Sequence, residues 1–116
     1  MCIRDRGPSA AAATSVTFRY RLSGSSTWLT VPSGGIDSAD GATYQVEATA
    51  NGSYYLQANN TSVVSSFSPS TNSDGTTMIV TVNIQSNPTS GTSTTIFAYP
   101  QAGGSTIGAI RFNYSQ

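Results

Sequence analysis

The chain reads as an all-β protein built from two packed antiparallel sheets, and three observations lead there. Apolar residues recur with a period of two along most of the sequence and never at helical spacing. Clusters of Gly, Asn, Asp and Pro interrupt that alternation about every eight to twelve residues, the rhythm of a sandwich or barrel. Finally, 35 of the 116 residues are Ser or Thr and only 9% are charged. Low charge with many hydroxyls also fits disorder, but a disordered chain has no reason to sort its apolar residues by parity.

The strands follow in order. "SVTFRYR" places Val16, Phe18 and Tyr20 on one face and Thr17, Arg19 and Arg21 on the other. "WLTV" sets Leu29 with Val31, which leaves Trp28 of opposite parity at the mouth of the strand. "ATYQVEATA" alternates Tyr44, Val46, Ala48 and Ala50 against Thr43, Gln45, Glu47 and Thr49. "SYYLQA" turns Tyr54 and Leu56 inward and Tyr55 outward. "TTMIVTVNIQ" aligns Met78, Val80, Val82 and Ile84, "TTIFAY" follows, and "GAIRFNY" aligns Ile110, Phe112 and Tyr114 opposite Arg111. Between these runs, "SGSS", "SGG", "ADG", "NSDG", "NPTSG" and "QAGG" supply the residues that reverse a chain. Asn51 and Gly52 lie between two alternating runs and form the strongest hairpin signal. The alanines at 10–13 read as linker.

The first six residues, "MCIRDR", differ from everything after them and hold the only Cys. They resemble the read-through of a transposon end used to build sequencing libraries. Residues 1–6 are therefore expected to be a cloning or assembly artefact, with the native reading frame extending upstream, and are set aside from fold reasoning. No intact signal peptide is visible, which means little if the native start lies upstream.

What remains has no Cys and no Lys, three Arg and four acids. Disulfide and thiolate chemistry are excluded. Three cations are too few to neutralise a run of phosphates, so nucleic acid is not an expected partner; nor is an anionic membrane surface, and no apolar run has transmembrane length. With no His, the Ser–His and Cys–His nucleophilic systems and the usual zinc sites are missing their base or ligand. Asp37 and Asp40 in "GIDSADGA" read as turn residues bonding local backbone rather than as a calcium site, which needs six or more oxygens. "QAGGST" lacks the Lys and strand–loop–helix setting of a phosphate loop. No enzyme and no cofactor are expected.

From Trp28 onward, the pieces "WLTVPSGGIDSADGATYQVEATANGSY", "SFSPSTNSDGTTMIVTVNIQSNPTSGTSTTI" and "GGSTIGAIRFNYSQ" resemble, in order, the BACON domain, a module common in Bacteroidetes and some of their phages. The resemblance implies an immunoglobulin-like antiparallel β-sandwich over residues 28–116, with residues 7–27 as a linker plus a strand that extends the sheet or ends a preceding domain. Three positions depart from the pattern: Tyr54 and Val64 stand where the family often has Trp, and Thr92 where it often has Arg. "FRYRLSGSSTW" and "TYQVEATANG" also resemble fibronectin type III, which accounts for residues 17–52 and less well for the rest.

The BACON resemblance implies a non-catalytic extracellular, cell-surface or virion module: a spacer or accessory domain of a longer chain, with carbohydrate as the candidate ligand. The alternative is a virion, fibre or filament subunit that assembles through exposed strand edges, with the "SVTFRYR" strand leaving its own sandwich. Sugar binding by such a sandwich uses exposed aromatic rings beside amides. By parity the candidates are Tyr55, then Trp28, then Tyr99 beside Pro100, and two coplanar exposed rings are the expected signature.

Overall fold

A computed structural model describes residues 11–73 and 77–115. The segment 1–6 expected to be an artefact, the first alanine of the 10–13 run and Asp74 lie outside the described residues. Ten strands occupy the rest: β1 (Val16–Leu22), β2 (Leu29–Thr30), β3 (Ile36–Asp37), β4 (Thr43–Ala50), β5 (Tyr54–Ala58), β6 (Val64–Ser68), β7 (Thr71–Asn72), β8 (Met78–Ile84), β9 (Thr92–Pro100) and β10 (Gly108–Tyr114).

They form two five-stranded sheets, ordered β2-β1-β4-β8-β6 and β3-β10-β9-β5-β7. Every named pairing is antiparallel except the short β3–β10 contact. The fold is an all-β, immunoglobulin-like sandwich.

Period two becomes a core because each strand turns one face to the opposite sheet. The first sheet contributes Val46, Ala48, Val80 and Val82, and the second Tyr54, Ile96, Ala98, Ile110 and Phe112, all essentially buried. Tyr44 bridges the layers, its ring 5.9 Å from that of Phe112, and its hydroxyl accepts the Ala39 N–H at 3.0 Å. Of the buried polar residues Ser38, Ser53, Asn72 and Thr94, the last lies deepest. Thr94 is fully buried; its hydroxyl accepts the N–H groups of Val63 and Val64 at 2.9 and 3.1 Å and donates to Asn60 Oδ1 at 2.9 Å. The hydroxyl thus satisfies the backbone where the chain enters β6, which an apolar side chain could not do.

Two sequence expectations need correction. Asn51 and Gly52 do not make a hairpin, because β4 and β5 belong to different sheets. Instead Asn51 Oδ1 accepts the Thr14 N–H at 2.9 Å and its amide donates to the Thr14 hydroxyl at 2.7 Å. Ala12 runs parallel to Ser53 in an isolated bridge, and a Cβ on Gly52 would collide with the Ala11 carbonyl and come within 2.7 Å of Ala13 N. The glycine serves close backbone approach rather than a turn.

Of the two settings expected for the strand ahead of Trp28, β1 takes the one that extends the sheet, since all seven residues pair with β4, from Val16 opposite Ala50 to Leu22 opposite Tyr44. The second correction is Leu29, which does not pack inward with Val31; it is 46% exposed. Only two residues of β2 reach β1, and Leu29 stays at that edge of the sheet.

Candidate functional site

Parity sends Tyr55 of β5 and Phe97 and Tyr99 of β9 to the outer face of the second sheet, where each is half-buried. Tyr55 lies directly opposite Tyr99 in the β5–β9 register. Their ring centroids are 5.2 Å apart and their planes 21° from parallel, a stacked pair. The Phe97 ring follows at 6.5 Å from Tyr99, tilted by 50°. Three rings therefore form a row across two strands.

At its Phe97 end the row opens into a groove of about 340 Å³. Thr95, Phe97, Ala109 and Arg111 of β9 and β10 line its floor. Val31, Pro32, Ser33 and Gly35 form the wall. That wall is a turn over residues 32–35, closed by Gly35 N–H donating to the Pro32 carbonyl at 3.0 Å. Gly35 has φ +103° and sits so close to β10 that a Cβ would come within 2.7 Å of Asn113 Nδ2, so any other residue would push the wall off the sheet. Gly34 presents its carbonyl to Arg111 Nη2 at 3.1 Å and to Asn113 Nδ2 at 2.8 Å. A second open groove of about 370 Å³ continues past Arg111 to Asp37, Asn113 and Tyr114.

The structure brings together two of the three residues named from the sequence. Trp28 lies elsewhere, against the outer face of the first sheet, with the Arg21 guanidinium carbon 4.2 Å and that of Arg19 5.5 Å from its ring centroid. The cations occupy ring surface that a sugar would need. Phe97 and Arg111 were not among the candidates. Phe97 was accessible by parity, being two residues from Tyr99 and flanked by the buried Ile96 and Ala98. The Arg111 setting was not, because it depends on a turn more than seventy residues away.

The expected coplanar rings do not occur as such. Tyr55 and Tyr99 stack on each other, which covers one face of each and leaves edges and outer faces to a ligand. Phe97 is therefore the ring that meets the groove. Elsewhere, the Asp40 carboxylate accepts the Asn87 N–H at 2.6 Å, and among the described residues no group of three or more His, Cys, Asp or Glu is placed to hold a metal.

No family model, curated protein or solved structure matches the chain.

Proposed function

We propose that the chain is a non-catalytic, BACON-like accessory module of a longer extracellular or virion protein, and that it binds carbohydrate on the outer face of the β3-β10-β9-β5-β7 sheet. The observation that carries this reading is the row Tyr55–Tyr99–Phe97 on a solvent-facing sheet surface, running into an open groove. Aromatic rings on such a face are costly to leave in water, and pyranose rings offer C–H surfaces of matching size. Gln57, opposite Phe97 in the register, and Thr95 on the groove floor supply hydrogen-bonding groups beside the rings.

Assembly through strand edges is the poorer reading. Three of the four sheet edges are the two-residue strands β2, β3 and β7, and the fourth, β6, has an irregular register between Val64 and Ser66. Short or bulged edge strands are a common way of blunting a sheet edge against a neighbour.

The test is affinity electrophoresis against a panel of neutral and charged polysaccharides. Retardation by at least one, reduced in Phe97→Ala, is the expected result. Migration unchanged by every polymer would end the carbohydrate reading.

A further inference from the structure

We propose that the glycan is acidic, a uronic-acid polymer whose carboxylate engages Arg111 while a sugar ring lies against Phe97. This deepens the carbohydrate reading and rests on it.

Arg111 projects from the outer face of β10, opposite Thr95, and is exposed. It lines both grooves, so a polymer running from one to the other must pass it. Of its five N–H donors, Nη2 is directed at the Gly34 carbonyl, which holds the guanidinium in place without neutralising it. Among the described residues it has no carboxylate partner. The contrast with Arg19 is direct, because Arg19 Nε donates to Glu47 Oε1 at 2.7 Å. Among the described residues Arg111 is the one cation on this face, and its planar fork can take both oxygens of a carboxylate, which hydroxyls cannot match in charge.

Asp37 decides on which side the carboxylate sits. It lines the second groove with Arg111 and would repel an acid there. The ligand's carboxylate therefore meets Arg111 from the first groove, over Ala109 and Phe97, where no acidic side chain contributes to the lining. That is also where the aromatic ring lies, so one uronate residue can touch both.

The experiment compares polygalacturonate with its fully methyl-esterified form, which keeps the sugar backbone and removes the charge, and with a neutral galactan. Binding is read by calorimetry at low and high salt. Polygalacturonate is expected to bind roughly tenfold more tightly than its ester, and to weaken as salt rises. Arg111→Gln should erase the difference, Arg111→Lys should keep part of it, and Asp37→Asn should increase it. Matching thermal melts for these exposed substitutions separate binding from folding. Equal affinity for acid and ester, or a preference that survives Arg111→Gln, would overturn the proposal while leaving carbohydrate binding intact. Binding of the neutral polymer alone would do the same. Failure to bind any polysaccharide, charged or neutral, would remove the carbohydrate reading itself.

Discussion

The two outer faces of the sandwich use similar residues to opposite ends. On the first sheet the polar groups are spent on one another. Arg19 pairs with Glu47, the Arg21 guanidinium donates to Gln45 Oε1 at 2.8 Å, and the Thr43 hydroxyl donates to Asn83 Oδ1 at 3.1 Å while the Asn83 amide donates to Ser66. Trp28 lies under the two arginines. On the second sheet the aromatic rings lie in a row against each other, and Arg111 meets a backbone carbonyl instead of an acid. A face whose cations are already engaged, Arg19 by Glu47, Arg21 by Gln45 and both by the Trp28 ring, gains little from a partner. A face with an unpaired cation beside half-exposed rings has free energy to gain by binding.

The comparison can be broken or sharpened by substitution. The largest effect is expected where both faces lose their support. Phe112→Ala empties the centre of the core and should destabilise the fold by about 3–5 kcal/mol, measured by urea unfolding, with binding lost only in proportion to unfolding. Next is Thr94→Val, which keeps the shape but strands the Val63 and Val64 N–H groups. It should cost about 1–3 kcal/mol in the same assay, and a stability equal to the parent would show that the buried hydroxyl is dispensable.

Gly35→Val tests the groove wall. Because the left-handed φ and the approach to Asn113 both exclude a branched side chain, the turn should detach, with a cost of about 1–3 kcal/mol and groove-dependent glycan binding abolished. Tyr55→Ala should remove the stacked pair at about 0.5–1.5 kcal/mol beyond lost burial and weaken glycan binding less than Phe97→Ala does. The smallest effect belongs to the opposite face. Glu47→Gln should change stability by less than about 1 kcal/mol, since Arg19 is half in water, and should leave glycan affinity unchanged. A clear loss of affinity there would erase the distinction between the faces.

Much of the sandwich was legible in the sequence because parity is a local property. Val80, Val82 and Ile84 alternate within one heptapeptide and are buried as that alternation requires. Tyr55 turned outward for the same reason. What parity does not carry is which strand joins which sheet. Asn51 and Gly52 have the composition of a hairpin, yet the chain crosses between sheets there, a choice made by the packing of residues 11–13 against Gly52. Long-range register explains the rest. Nothing local says that Tyr55 faces Tyr99, that residues 32–35 wall a groove on β10, or that two arginines of β1 will cover Trp28. Thr94 escaped notice because a buried Thr looks like any other strand Thr until the N–H groups that it satisfies are in place.

The division of labour between the two faces is tested most directly by titrating isotopically labelled protein with polygalacturonate and following backbone and side-chain NMR signals. The account expects shifts confined to Tyr55, Gln57, Thr95, Phe97, Tyr99, Ala109, Arg111 and the 32–35 turn, with Trp28 Nε1–H, Arg19 and Glu47 unmoved. Shifts centred on Trp28 and β1, or spread evenly over both sheets, would contradict it.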